Sequence, residues 1–195
     1  MKNTELFERL KGDKSRVSKL GETAVIMKLT EMGWDAFNLN ATNPNYKGVD
    51  IFAVNPNNLN DTRFIQVKAS AEKEPNFPVG LVSDRKGNIT EGWEKKFVGP
   101  WVFVHILLEG NDIKYNFYIL KREEVIELIQ DSNKWYWSQP ERNAGTDNQP
   151  VGLPLSWVTG IGLKSNTRTF RDYPRNIKIE KVFNNDGWDK IGNVK

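Results

Sequence analysis

Gly48-Val49-Asp50-Ile51-Phe52 and, shortly after it, Arg63-Phe64-Ile65-Gln66-Val67-Lys68 are the two stretches that decide how this chain is read. Each is an apolar, strand-like run broken by a polar group that is costly to desolvate. Asp50 stands second after Gly48 in a run that is otherwise apolar. A carboxylate there has to be paired, hydrogen-bonded or metal-bound. Alternation along the second run puts Gln66 and Lys68 on one face and Ile65 and Val67 on the other. If the two strands are neighbours, Asp50 lies beside Gln66 and Lys68.

The elements around this pair follow from periodicity. Before it, Val17, Leu20, Ala24 and Met27, with Val25, Leu29 and Met32, recur at helical spacing over 16–32, with Ser15 as the expected cap and Gly33 as the stop. Glu22 sits on this helix beside Gly21, where another element can approach closely. A short helix is expected over 4–10. Strands are expected over 34–41, 49–54 and 62–69, joined by polar turns at 42–48 and 55–61, which makes an antiparallel meander. Residues 72–96, with Pro75, Pro78 and three glycines, read as irregular, with a hairpin near 84–88 that is a candidate substrate flap. Strands over 101–108 and 116–120 and a helix over 122–130 complete an α/β architecture with a central mixed sheet flanked by helices. The chain is read as one domain, 1–195, with a core of about 15–130 and a C-terminal extension over 131–195, in which 139–148 is a polar loop and 177–191 returns to the core.

Composition narrows the chemistry. The chain has 195 residues, a net charge of +3 and no cysteine, so thiol nucleophiles, disulfides and cysteine–zinc sites are excluded. The sequence pI near 9.0 is compatible with a polyanionic partner. The single histidine, His105, lies within Trp101-Val102-Phe103-Val104-His105-Ile106 and reads as a core residue, which leaves no histidine for a triad or a His-rich metal site. No apolar run approaches the roughly 20 residues a membrane helix needs, and the charged start, 1–14, lacks a signal-peptide core, so cytoplasmic residence and no membrane association are expected. Most of the seven tryptophans read as core.

Glu22, Asp50 and Lys68, at the ends of adjacent elements, suit metal-dependent phosphodiester chemistry. Carboxylates, a backbone carbonyl and waters are the hard oxygen ligands that Mg²⁺, or Mn²⁺ in its place, requires. A lysine can orient water and offset charge on a phosphorane. Gln66 can position water or coordinate through its amide oxygen, without adding charge. Lys47, Arg63, Lys73, Arg85 and Lys86, with Lys95 and Lys96, are candidate phosphate contacts. Asn38, Asn40, Asn43 and Asn45 are candidates to read base edges or to form ordinary turns.

A helix glutamate, then Gly-x-Asp, then Gln-x-Lys resembles the PD-(D/E)XK nuclease superfamily. The Gln-x-Lys form resembles Mrr-type restriction endonucleases, and the run from Gly21-Glu22 to Val67-Lys68 resembles the core of archaeal Holliday-junction resolvases. The resemblance spans about 15–70 and implies a restriction-endonuclease-like fold, a Mg²⁺-dependent endonuclease and a DNA substrate. It implies that Asp50 binds metal, Gln66 replaces the usual second acid, Lys68 is the catalytic lysine, Glu22 is the helix acid and the Val67 carbonyl is a backbone ligand. A homodimer is expected if both strands are cut. The alternatives are a catalytically inactive protein of the same fold that binds DNA or a protein partner, and an interaction protein with no nucleic-acid role.

Overall fold

Helix α1 (Asn3–Lys11) is followed almost at once by α2 (Lys14–Glu31). The computed structural model describes residues 3–41, 48–73, 75–84, 86–138, 149–154, 187–192 and 194. Asp13, not Ser15, caps α2, its carboxylate accepting from the Arg16 backbone N–H at 3.0 Å. The chain leaves α2 through Gly33 at φ 91, a left-handed turn that glycine adopts without strain. Strand β1 (Asp35–Asn38) is four residues long and runs into a 3-10 turn over Leu39–Ala41. Strands β2 (Ile51–Asn55) and β3 (Asn58–Ser70) follow, and β1, β2 and β3 form the expected antiparallel meander. The β2–β3 turn is tighter than its asparagines suggest. The Asn55 side chain accepts from the Asn57 N–H and donates to Asp61, so β3 already begins at Asn58.

Strand β4 (Asn76–Ser83) lies where irregular chain is expected. Its period-two burial of Phe77, Val79, Leu81 and Ser83 was present in the sequence, but Pro78 and Gly80 argued against a strand. The pairing of β4 with the distant β7 (Gln149–Pro154) shifts register between Pro78 and Leu81, so Pro78 borders the irregularity and Gly80 lies within it. The hairpin-like turn at its end does form, with the Asp84 N–H donating to the Asn88 carbonyl at 2.9 Å. Strand β5 (Trp101–Glu109) lies parallel to β3, and β6 (Asp112–Leu120) lies antiparallel to β5, giving the sheet order β1-β2-β3-β5-β6. The protein is thus α/β, with a mixed five-stranded sheet flanked by helices. Helix α3 (Arg122–Ser138) runs past its expected end because tertiary bonds hold its last turns: Asn133 donates to the Gly87 carbonyl and Trp137 to Ser83.

Two cores sit on opposite faces of the sheet. Val25 and Leu29 of α2 meet Ile51, Ala53, Ile65, Val67, Val102 and Val104 on one face. On the other, Trp101, Phe103, Tyr118 and Leu120 meet Phe77, Leu81, Val125 and Ile129. Trp188 and Ile191, at the C-terminal end, are buried in the first core, as the expected return of the chain requires. The expected loop over 139–148 and all of 177–186 lie outside the described residues. Among the described residues, no helix is long and apolar enough to cross a membrane.

His105 is buried, and its Nε2 lies 2.9 Å from the Glu72 carbonyl oxygen. A carbonyl only accepts, so Nε2 carries the proton in the neutral ring. Burial holds its pKa below the ordinary histidine value, against the bond to Glu72. As pH falls, the unfolded chain therefore takes up the proton first. The stabilisation is complete above about pH 6.5 and is lost as pH falls through the lower folded value. Thermal melts are expected to fall from neutral pH to about 5 in the wild type and to flatten over that window in His105→Gln, which retains a donor for Glu72. Equal pH slopes in the two proteins would refute the assignment.

Candidate active site where strand two begins beside strand three

Asp50 comes one residue before β2, and this position defines the site. Its N–H donates to the Ile65 carbonyl at 3.0 Å and its carbonyl accepts from the Leu39 N–H at 2.9 Å, so the residue is fixed between β1 and β3. Beyond it the β2–β3 ladder ends. The Asp50 carboxylate takes the place of the missing strand: Oδ2 accepts from the Val67 N–H at 2.7 Å and from the Gln66 side-chain amide, and Oδ1 accepts from Asn40 Nδ2 at 2.7 Å.

Gln66 is buried, as are Val67 and Glu22. The Gln66 N–H donates to the Pro100 carbonyl at 3.1 Å, so its backbone faces β5, while Val67 turns its N–H and C=O towards Asp50. Gln66 Nε2 also lies 3.4 Å from the Val67 carbonyl oxygen. Asp50, Gln66 and Val67 therefore converge. The amide presents its N–H₂ to both acceptors, with its oxygen on the Gly48 side, near where a Cβ on Gly48 would lie.

Glu22 is not a solvated helix charge. Its Oε1 accepts from Ser18 at 3.1 Å and its Oε2 from Asn38 Nδ2 at 2.8 Å. Gly21 makes this possible, since a Cβ built there would overlap the Ala69 side chain of β3, so α2 lies directly on the strand. Asn38 and Asn40, two residues apart, thus hold one carboxylate each and link Glu22 to Asp50. These asparagines, Asn38 at the end of β1 and Asn40 in the turn after it, bind acids, a role the sequence does not distinguish from base reading. The signal that could have marked them is their place: the end of a strand that pairs with the one bearing Asp50.

Lys68 shares the Gln66 face of β3 and makes no ion pair with Asp50 or Glu22. Its Nζ lies 5.7 Å from the centre of the Trp101 ring, a cation–π contact worth about 0.5–1 kcal/mol. Trp101 pairs with Gln66 across β3 and β5, so the ring stands beside the site.

The expected phosphate contacts divide. Lys73 and Lys86 are exposed, Lys86 in the turn held by Asp84. The Asp84 carboxyl is held below its usual range chiefly by the Asn88 side chain. Lys47 and Arg85 lie outside the described residues, as do Asn43 and Asn45. Arg63 is placed otherwise than expected: it pairs with Ala53, which pairs in turn with Ala36, on the face that α2 covers. It lies 5.1 Å from the Trp34 ring, is paired with Asp61 and donates to the Ile191 carbonyl at 2.7 Å. Alternation along β3 puts it opposite to Gln66 and Lys68, and its donors are used to fasten the C-terminal turn.

Asp50 and the Val67 carbonyl are oxygen donors of the kind a hard divalent cation takes, whereas Glu22 is held by Ser18 and Asn38 on the α2 side of the sheet and is not brought to the point where Asp50, Gln66 and Val67 meet. Among the described residues no cluster of three or more His, Asp or Glu side chains forms. With its amide reversed, Gln66 would add its oxygen to those of Asp50 and Val67, which is the donor chemistry such a cation takes. No protein-family model matches the chain, and no curated protein or solved structure matches it.

Proposed function

We propose that the protein is a Mg²⁺-dependent nuclease that hydrolyses phosphodiester bonds in DNA. The observation that carries this reading is the convergence of the Asp50 carboxylate, the Gln66 amide and the Val67 backbone at a strand end, with Lys68 two residues further along the same face. Asp50 and the Val67 carbonyl would hold the cation, and Asn40 orients the Asp50 carboxylate. The bound cation would polarise the phosphodiester and acidify a water. Lys68, resting on Trp101 with no carboxylate partner among the described residues, is available to donate to a phosphate oxygen and to offset its developing charge. The test is cleavage of single-stranded, duplex and branched DNA with Mg²⁺ or Mn²⁺. Wild-type protein that cuts none of them, with no loss on chelation to detect, ends the reading.

A second reading, an inactive nucleic-acid-binding protein of this architecture, is favoured by one observation. The Asp50 carboxylate already accepts from three neutral donors, one of them the Gln66 amide. Gln66→Glu separates the two. A second buried carboxylate beside Asp50 is expected to lower the melting temperature without metal and to restore it with Mg²⁺ or Mn²⁺. A Glu variant that metal does not stabilise means that no cation site can be completed here.

A further inference from the structure

Phe37, Phe52 and Phe64 are direct partners across β1, β2 and β3 and form one row on one face of the sheet. Phe37 is 54% exposed and Phe64 41% exposed, and Phe52 is half-buried. The Phe52 and Phe64 rings lie 5.3 Å apart. None of the three belongs to either core among the described residues. Exposed large aromatic rings that adjoin one another are the informative departure from ordinary surface composition.

The row's place gives it a ligand. Alternation puts Phe64, Gln66 and Lys68 on the same face of β3, successive members about 6.6 Å apart. Phe52 stands in the same relation to Asp50 on β2. An exposed ring therefore lies one step to one side of the candidate site, and an ammonium one step to the other. Lys95 and Lys96 are exposed in the 3-10 turn Trp93–Lys96, and the Lys96 carbonyl lies close to Gly48, at the mouth of the site. Lys68, Lys95 and Lys96 make no ion pair with any described acid. Rings flanked by cations that no described acid pairs are complementary to a strand whose bases are unstacked and whose phosphates are charged. A duplex hides its base faces and would leave the rings unused.

We propose that Phe37, Phe52 and Phe64 form a stacking platform for unpaired nucleobases, so that the strand cut at Asp50 and Lys68 is single-stranded beside the scissile phosphate. The proposal rests on the nuclease reading only for what happens at that phosphate. The binding itself needs no metal.

The test is fluorescence anisotropy of a labelled oligo-dT and of a duplex of equal length, with EDTA present so that nothing is cut. Wild-type protein is expected to prefer the single strand. Phe64→Leu, which keeps an apolar side chain but removes the ring, is expected to weaken single-strand binding about tenfold, within the range of one base–aromatic stack. Phe37→Leu combined with Phe64→Leu is expected to weaken it further, while Phe64→Tyr keeps near wild-type binding. Duplex binding should change less than threefold in all of them. Equal affinity for both forms, or Leu variants that bind oligo-dT as the wild type does, overturns the proposal. So does a double Leu variant that sediments as a smaller species with oligo-dT binding intact, since the row would then be a self-association surface. The two readings fail separately. Ring-dependent binding without cleavage under Mg²⁺ removes the nuclease reading alone, and cleavage indifferent to both Leu substitutions removes the platform alone.

Discussion

Asp50→Ala is expected to abolish Mg²⁺-supported cleavage, by about 10³-fold or more, and also to destabilise the protein. The two effects share one cause. The carboxylate that would hold the cation also satisfies the Val67 N–H, the Gln66 amide and the Asn40 amide. Truncation leaves these donors without their acceptor, and Gln66 and Val67 are buried, which sets the cost at about 2–4 kcal/mol. Asp50→Asn separates the effects. Its oxygen can still accept from Val67 and Gln66, and Asn40 can present its own oxygen to the new amide, so stability should fall by about 1 kcal/mol or less while cleavage is lost. Lys68→Ala should lose cleavage about 10²-fold or more at almost no cost in stability, since only its contact with Trp101 is given up. Rates come from a gel assay and stabilities from urea unfolding. An Asp50→Asn protein that cuts at the wild-type rate sinks the assignment of Asp50.

Gly99→Ala is expected to be among the most destabilising single-methyl additions in this fold. Gly99 has φ 64, and a Cβ there would fall well inside the van der Waals radius of the Phe64 carbonyl oxygen. Backbone, unlike a flexible side chain, cannot swing aside. The left-handed conformation costs about 1–2 kcal/mol for an L-residue, and forced overpacking about 1–3 kcal/mol, so the sum is about 2–5 kcal/mol. At about 2–4 °C per kcal/mol for a chain of this size, the melting temperature should fall by about 5–15 °C. The damage should extend to the site. Gly99 precedes Pro100, whose carbonyl holds the Gln66 N–H, so displacing the crossover strand from β3 moves the residue that meets Asp50. A Gly99→Ala protein that melts with the wild type would show that the crossover has room that its geometry denies.

Much of the site was legible because strand periodicity is a local property. Gly48-Val49-Asp50 and Ile65-Gln66-Val67-Lys68 announce, by polar interruption of apolar runs, that something compensates them, and Asp50, Gln66 and Val67 do meet. Arg63 shows where charge alone misleads. It is one residue out of phase with Phe64, Gln66 and Lys68, and that one-residue difference carries its side chain to the opposite face. β4 shows the limit for elements. Its proline and glycine read as irregular chain, and the strand it pairs with, β7, lies about seventy residues on.

The sequence by itself determined the α/β class, the β1-β2-β3 meander, the helix bearing Glu22 and the burial of His105, since each follows from residue periodicity and short turns. Only the tertiary structure decided what the polar groups do. Gly21 lets α2 lie on Ala69 and buries Glu22. Asn38 and Asn40 become the link between two acids because β1 ends beside the start of β2. Three phenylalanines far apart in the chain become one exposed row through strand register. Hydrogen bonds and side-chain rows between strands depend on which residues stand opposite one another, and that is settled when the sheet assembles.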